Sequence, residues 1–323
     1  MMHFVYRLLA LYGSAIILMF FSEFLFVNEG MVAILIGKLQ INLALAIGEL
    51  FILSTYYALF TFPFLALLSH YKVNTLLGLF LAGAIFGWAA EALVVPAVYE
   101  GVPYSFVWTS ISWHPLIDVL VGWYFVRLVM RNKNVLWNLT MFIALGGFWA
   151  IWATWYWTGE SGGSFEIITP SEFSIFAYAT GIFWIVGMVI ADNFGRGGFY
   201  PTKWEVSFVA LVAVVAFSIT ALPFLPISLS LLPFIALTVF ALYKGRDVTG
   251  ELTIDANLDE ARPEWWKYVL ALLTPLTATL IYPWLFEMQL RIPTEDIILV
   301  VMLIAVATFV RAIVKPFRLK KRP

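Results

Sequence analysis

Residues 75–98 have the sequence TLLGLFLAGAIFGWAAEALVVPAV, and this stretch decides the class of the fold. An α-helix rises 1.5 Å per residue, so about 20 apolar residues are needed to cross the hydrocarbon core of a bilayer. The stretch meets that length and contains a single charged residue, Glu91. It therefore predicts a membrane-spanning helix that carries a carboxyl group inside the membrane.

The whole chain has the composition of an integral membrane protein. Of its 323 residues, 62% are hydrophobic and 12% are charged, and the mean hydropathy is +0.91. A water-soluble domain of this size is not that apolar. The net charge of -1 gives no indication of a nucleic-acid partner. Cysteine is absent, which excludes disulfides, thiolate metal sites and cysteine nucleophiles.

Ten apolar stretches are predicted to cross the membrane as helices. Their approximate limits are residues 8–27, 41–68, 75–98, 115–130, 135–157, 173–191, 206–222, 229–242, 268–286 and 297–313. The fourth and eighth are short, so nine spans is the alternative. No small-residue cleavage site follows the first stretch, which is interpreted as a retained anchor and not as a signal peptide.

The positions of lysine and arginine support this division, because cytoplasmic flanks hold most of the basic residues of a membrane protein. With both termini inside, ten spans place all 19 Lys and Arg residues except Lys38 and Arg291 on the inner side. A missed span would invert every later loop and destroy this pattern. The prediction is therefore an all-α, polytopic helical bundle with about ten transmembrane helices and both termini cytoplasmic, a multi-pass protein of the prokaryotic cytoplasmic membrane.

The chain is predicted to form one transmembrane domain with two unlike halves, residues 1–157 and 173–315. The acids within the spans of the first half are Glu23, Glu49, Glu91 and Asp118. The second half is almost purely apolar apart from Glu287 near an outer end. The first half is therefore expected to hold the site and the second half to act as a scaffold.

All four acids fall in the outer half of the membrane once the spans are oriented. Counting about 1.5 Å per residue from the outer boundaries places Glu91 about 10 to 12 Å deep and Glu49 about 12 Å deep. A charged group at that depth costs several kcal/mol unless it is paired, protonated or wetted. Four acids in one half of the membrane therefore predict a functional pocket that opens outwards.

The fourth span begins with a further pair of polar residues. Pro115 suits the first turn of a helix, which puts Asp118 on roughly the same face as His114. The aromatic outer loop before this span can fold back and bring the pair towards Glu91. Two carboxyl groups and an imidazole that converge support general acid/base catalysis. We therefore predict Glu91, His114 and Asp118 as catalytic residues, with Glu49 as a second carboxylate.

Structural roles for these residues stay open at this stage. Asp118 in a first helical turn can complement the helix dipole, and His114 can bond to a carbonyl group at the membrane interface. Glu49 and Glu23 can each pair structurally with Lys38, Arg291 or a neighbouring tyrosine.

A metal site is only weakly indicated. The i, i+4 spacing of His114 and Asp118 lets both side chains share an ion, with Glu91 as a third ligand. The other two histidines, His3 and His70, fall at the opposite face of the membrane, which excludes a multi-histidine centre. No cofactor is predicted.

Aromatic residues near the acids are predicted to hold an apolar substrate. Trp149, Trp152 and Tyr156 share one helical face, which suits a groove for a lipid or isoprenoid tail. An interfacial aromatic belt is the alternative. The predicted substrate-contacting residues are Glu100, Tyr104, Trp88, Trp113, Trp149 and Trp152.

The segment from Gly87-Trp88-Ala89-Ala90-Glu91 to Glu100-Gly101-Val102-Pro103-Tyr104 resembles the membrane carotenoid hydratases of the bacterioruberin-pathway type. Those proteins show a similar Gly-Trp-x-x-Glu run that leads to a Gly-x-Pro-aromatic loop. This chain departs from the pattern at Ser105, where the family has a glycine. The resemblance implies that Glu91 protonates a terminal isoprenoid double bond and that aromatic walls hold the polyene.

The leading hypothesis is a membrane enzyme, of the hydratase/lyase type or another lipid-modifying type, that acts on an isoprenoid or lipid substrate at an outward-facing pocket. Membrane lipids, a lipophilic small molecule and a membrane-protein partner are the expected interactions. The alternatives are a transporter or binding protein for a cation or amine, and a non-catalytic subunit of a membrane complex. Carboxyl groups around an apolar groove favour the enzyme, a polar route to the inner face favours transport, and acids that face lipid favour the subunit.

Overall fold

The computed structural model describes residues 2–158, 167–194, 198–246 and 253–318. Within these ranges the chain is helical and contains no β-strand, which confirms the predicted all-α class. The α-helices are α1 (Met2–Met19), α2 (Glu29–Ile41), α3 (Leu43–His70), α4 (Leu76–Leu93), α5 (Ala97–Glu100), α6 (Val126–Met130), α7 (Val135–Trp152), α8 (Pro170–Phe194), α9 (Lys203–Ala221), α10 (Leu231–Gly245), α11 (Ile254–Glu260), α12 (Trp265–Leu270), α13 (Leu273–Glu287) and α14 (Thr294–Arg318). Two π-helical segments, π1 (Phe20–Leu25) and π2 (His114–Phe125), continue into or out of these helices. Short 3-10 turns are Tyr104–Phe106, Ala153–Thr158, Leu222–Phe224 and Ile227–Ser230.

Nine helical stretches in the described residues are long and apolar enough to cross a membrane. They are Phe4–Leu25, Leu43–His70, Leu76–Leu93, Val135–Trp157, Pro170–Phe194, Lys203–Phe224, Ile227–Gly245, Trp265–Glu287 and Thr294–Arg318. The predicted fourth span corresponds to π2 and α6, which together are shorter than any of the nine. The protein is therefore a polytopic helical bundle of the multi-pass membrane type. The terms inner and outer follow the orientation predicted from the basic residues.

Helices α1 and α8 pack closely because small residues face each other between them. A Cβ atom on Gly13 would lie 2.6 Å from the backbone nitrogen of Ala191, and Gly187 makes a similarly close approach from α8. Further out, Phe20 stacks on Trp184 with ring centroids 4.8 Å apart. These contacts fix π1, which follows α1 directly, at the centre of the bundle.

Helix α4 is covered on one side by π2 and by the loop that precedes it. A Cβ atom on Gly83 would lie 3.0 Å from Pro115 Cα, and one on Gly87 would overlap the carbonyl oxygen of Ser110. Both glycines therefore allow the backbone of α4 to approach the loop and π2. Glu91 lies one helical turn beyond Gly87, so this close packing brings its carboxyl group to the start of π2.

The inner end of the bundle contains a buried ion-pair cluster. Asp192, near the end of α8, accepts hydrogen bonds from Arg127 Nε and Arg131 Nη2, both at 2.8 Å. The Tyr268 hydroxyl donates to the same carboxylate at 3.2 Å. Asp192 was not among the predicted buried acids, because it lies at the very end of an apolar run. The second half of the chain therefore contributes a buried carboxylate as well as apolar surface.

Candidate functional site

The polar residues of the site lie on the two π-helical segments and on the helices beside them. Segment π1 carries Ser22 and Glu23, and π2 carries His114 and Asp118. Their widened turns are visible in the i→i+5 hydrogen bonds, at 2.8 Å from Asn28 N to Glu23 O and at 3.0 Å from His114 N to Thr109 O. Such turns are rare in helices and occur often at functional sites.

His114 is held between two carboxyl groups. Its Nδ1 lies 2.6 Å from Asp118 Oδ2, and its Nε2 lies 2.9 Å from Glu91 Oε1. The hydroxyl of Thr109 also donates to Glu91 Oε1, at 2.7 Å. His114 and Asp118 are buried. The structure thus brings together three of the four residues predicted as catalytic, Glu91, His114 and Asp118, and adds Thr109.

This arrangement assigns a different role to each of the three side chains. Asp118 lies behind His114 and does not line the cavity described below, so it can fix the imidazole ring and hold the proton on Nδ1. The opposite nitrogen, Nε2, is then free to exchange a proton with Glu91. Orientation of a histidine by a buried carboxylate, with proton transfer at the far nitrogen, is the logic of catalytic triads.

A second carboxyl group, that of Glu23, belongs to the same hydrogen-bonded cluster. The Tyr57 hydroxyl lies 2.6 Å from Glu23 Oε1 and also 2.6 Å from Ser22 Oγ. Ser22 Oγ in turn lies 3.3 Å from His114 Nδ1. Glu23 Oε2 is buried and has no hydrogen-bond partner among the described residues. Glu23 was predicted as one of the four acids of the pocket but not as a catalytic residue, and Tyr57 and Ser22 were not predicted.

The cluster therefore contains three carboxyl groups around one imidazole, namely Glu23, Glu91 and Asp118 around His114. Full ionisation would leave two negative charges uncompensated inside the membrane, which is energetically costly. A cluster of this kind retains protons on some of its carboxyl groups. A retained proton on a carboxyl group is what a general acid requires.

The cluster forms one wall of a cavity of about 460 Å³. The polar residues that line it are Ser22, Glu23, Asn28, Glu49, Glu91, Thr109 and His114. The remaining lining is apolar or aromatic, and it includes Phe60 from α3 and Trp113 from the loop. A mostly apolar cavity with a few convergent polar groups is the usual form of a small-molecule site.

The rim of this cavity lies on the lipid-facing side of α3 and α4. Ile52 is 55% exposed, Tyr56 is 49% exposed and Val95 is 53% exposed, and all three line the cavity. Ile52 and Tyr56 belong to α3, and Val95 follows the end of α4. The rim of the cavity is therefore exposed on the outside of the helical bundle.

Glu49 lines the same cavity but does not join the carboxyl cluster. It forms an ion pair with Lys38, in agreement with the structural alternative of the sequence analysis. Glu49 lies eight residues before Tyr57 on α3, which places it about 12 Å further out along the helix axis. The second carboxylate predicted for the site, Glu49, is thus outside the hydrogen-bonded cluster around His114, whereas Glu23 belongs to it.

Among the residues predicted to contact substrate, Trp113 lines the cavity and the others do not. Glu100 and Tyr104 are exposed on the outer loop. Trp88 is buried beside that loop and donates its indole N–H to the Phe106 carbonyl oxygen at 3.3 Å.

Trp149 and Trp152 stabilise π1 instead of forming a groove. The indole N–H of Trp149 donates to Phe24 O and that of Trp152 to Phe26 O, both at 2.8 Å. Trp155 donates to Phe26 O as well, at 2.7 Å. Carbonyl groups at the end of a helical segment lack some of their regular helical partners, and these indoles provide additional donors. The aromatic face of α7 therefore packs inwards and is not an interfacial belt.

A metal centre receives no support from the geometry of the described residues. No group of three or more His, Asp and Glu side chains within them is arranged to hold a metal ion. Both ring nitrogens of His114 are engaged with carboxyl groups at hydrogen-bonding distance. The weakly indicated set of His114, Asp118 and Glu91 is thus connected by hydrogen bonds.

No protein-family model, curated protein or solved structure matches this chain. Its function is therefore inferred from the chemistry and geometry of the cavity.

Proposed function

We propose that the protein is a membrane enzyme that performs general acid/base chemistry on a lipophilic substrate in the cavity beside His114. The observation that carries this proposal is the placement of His114 between Glu91 and Asp118, at 2.9 and 2.6 Å, on the wall of a mostly apolar cavity. Burying three ionisable side chains in a membrane costs free energy. Such groups cluster at functional sites, and proton transfer to a bound molecule accounts for their presence here.

Glu91 is the general acid in this proposal. Its carboxyl group lines the cavity, and Thr109 and His114 hold its Oε1. After Glu91 has given its proton to the substrate, the Thr109 hydroxyl donates a hydrogen bond to the carboxylate that remains. Asp118 is a positioning residue that acts through His114.

The lipophilic class of the substrate is supported by the lining and the opening of the cavity. A molecule that enters past Ile52, Tyr56 and Val95 comes from the bilayer. A hydrocarbon chain offers few sites that an acid can protonate, and a carbon–carbon double bond is one of them. The resemblance around Glu91 to membrane carotenoid hydratases points to the same chemistry, in which a terminal isoprenoid double bond is protonated and water adds to the cation.

Transport is less well supported than catalysis. Directly below the cluster, Phe64 packs against Phe86 and Trp123, with ring centroids 6.3 and 5.1 Å apart. Phe21 fills the space beside Gly122 in the same layer. These aromatic contacts separate the cluster from the Asp192 ion pairs at the inner end, whereas transport of a cation would favour polar groups at that level.

The proposal is tested with lycopene, an acyclic polyene with isopropylidene ends, added to membranes that contain the protein. The expected product carries one added water, which mass spectrometry detects. Glu91→Gln keeps the shape of the side chain but removes the acid, and product formation should fall by about 100-fold or more. Glu287→Gln, at an exposed position at the end of α13, is the matched control and should keep wild-type turnover.

Undiminished turnover by Glu91→Gln would eliminate Glu91 as the acid. A wild-type protein that neither hydrates lycopene nor exchanges its end-group hydrogens with solvent would count against the reaction class.

A further inference from the structure

We infer that Glu23 is a second catalytic residue, a base that binds and deprotonates the water molecule that adds to the substrate. This inference rests on the proposed function and divides the two reacting steps between Glu91 and Glu23. The observation behind it is that Glu23 lines the same cavity as Glu91 and has a buried carboxylate oxygen, Oε2, that no described residue contacts by a hydrogen bond.

The Glu23 carboxyl group is fixed at one oxygen and free at the other. Tyr57 holds Oε1 at 2.6 Å, and Tyr57 is itself buried and bonded to Ser22. A buried carboxylate oxygen without a donor is costly, so a molecule inside the cavity is expected to supply the missing hydrogen bond. A carboxylate oxygen only accepts, and the matching ligand is therefore water or the hydroxyl group of an alcohol product.

The partners of the two carboxyl groups separate an acid from a base. Glu91 contacts an imidazole nitrogen, which can return a proton to it. Glu23 contacts no imidazole in the described residues, and its Oε1 partner is a phenol hydroxyl, which donates to a carboxylate. The Tyr57 hydroxyl can donate to the ionised form of Glu23, the form that accepts a proton from water.

The reaction is balanced by one proton given and one proton taken. Glu91 gives its proton to the terminal double bond, whose π electrons form the new C–H bond and leave a cation on the adjacent carbon. A water molecule forms the C–O bond with a lone pair, and its O–H proton passes to Glu23. The sum is alkene plus water to alcohol, with Glu91 ionised and Glu23 protonated. Water in the open cavity then carries a proton from Glu23 back to Glu91.

The two steps can be measured separately with isotopes and lycopene. Protonation by Glu91 is reversible, so in heavy water it introduces deuterium into the isopropylidene end group even when no water adds. Addition of water is measured by incorporation of oxygen-18 from labelled water. We expect Glu23→Gln to keep deuterium exchange within about twofold of wild type and to lose oxygen-18 incorporation by about 100-fold or more. Glu91→Gln should lose both.

Tyr57→Phe provides a second variant in case Glu23→Gln does not fold. This substitution keeps the Glu23 carboxyl group but removes its hydrogen bond from the Tyr57 hydroxyl. It should lower oxygen-18 incorporation more than deuterium exchange. Tyr178→Phe, a partly exposed tyrosine on α8, is the matched control and should change neither. A purely structural role for Glu23 or Tyr57 would lower both signals in parallel.

Three outcomes overturn the inference. Full oxygen-18 incorporation by Glu23→Gln would show that Glu23 is not the base. A parallel loss of both signals in folded Glu23→Gln and Tyr57→Phe would show that Glu23 does not act separately from Glu91. Wild-type protein without either signal would overturn the proposed function itself, and this inference with it.

Discussion

His114 Nε2 lies 2.9 Å from Glu91 Oε1, although the two residues are 23 positions apart and belong to different helices. The contact depends on Gly87, which lets the loop before π2 reach the backbone of α4. On its other side His114 meets Asp118 at 2.6 Å. The imidazole is thus the only one in the described part of the site, and it is placed to connect the two carboxyl groups.

Asp118→Asn should lower turnover without unfolding the protein. The amide is nearly isosteric with the carboxyl group, but it no longer holds a negative charge against His114 Nδ1–H. His114 is then poorly oriented for proton exchange with Glu91, and we expect a loss of about 100-fold in product formation. The measurement is hydration of lycopene by membranes with matched amounts of the variant. Wild-type turnover by Asp118→Asn would show that the positioning role is absent.

Gly87→Ala should destabilise the packing of α4 against the loop. A methyl group at this position overlaps the Ser110 carbonyl oxygen, and backbone atoms cannot move aside as a flexible side chain can. We expect a loss of about 1–3 kcal/mol in the free energy of unfolding and a parallel loss of activity. Thermal unfolding in detergent measures the change.

Gly37→Ala is the matched control for that experiment, because a Cβ atom there meets nothing within 4 Å. The control should be neutral or slightly stabilising, since alanine is a better helix former than glycine. Equal stability of the two variants would contradict the role assigned to Gly87.

The general architecture could be predicted from hydrophobic length and basic residues, because a bilayer imposes both constraints on every span. The meeting of His114 and Asp118 could also be predicted, since an i, i+4 pair lies on one helical face. The convergence on Glu91 was anticipated from the position of the loop between the third and fourth spans. These are local or short-range relationships along the chain.

The remaining parts of the site depend on tertiary packing. Tyr57 reaches Glu23 only because α3 and π1 have a particular register and because π1 has widened turns. Neither the π-helical hydrogen bonds nor the register follows from apolar periodicity. Trp149 and Trp152 were mispredicted for the same reason. Their spacing suggested a groove for a lipid tail, but tertiary packing directs their indole N–H groups to carbonyl groups in the interior.

Trp149→Phe should destabilise π1. The substitution removes the indole N–H that donates to Phe24 O at 2.8 Å and leaves that buried carbonyl group without this donor. Phe24 O keeps its hydrogen bond from Val27 N at 3.3 Å. The loss is therefore that of one hydrogen bond, about 0.5–1.5 kcal/mol, and it should appear as a lower temperature of thermal unfolding in detergent. Trp137→Phe is the control on the same helix, because Trp137 is 59% exposed and its loss should have little effect. A similar shift for both variants would argue against a specific role of the Trp149 indole.

Asp192→Ala should destabilise the bundle strongly at its inner end. Arg127 and Arg131 both donate to Asp192 Oδ1 and are nearly inaccessible to solvent. Removal of the carboxylate leaves two buried guanidinium groups without their shared partner, for which we expect about 3–5 kcal/mol of lost stability. Thermal unfolding in detergent measures it, with Glu287→Ala as an exposed acidic control.

Because the aromatic layer around Phe64 separates this cluster from Glu91, the folded fraction of Asp192→Ala should hydrate lycopene at the wild-type rate per molecule. Loss of turnover in protein that is still folded would instead indicate that the inner ion pairs and the outer site are coupled.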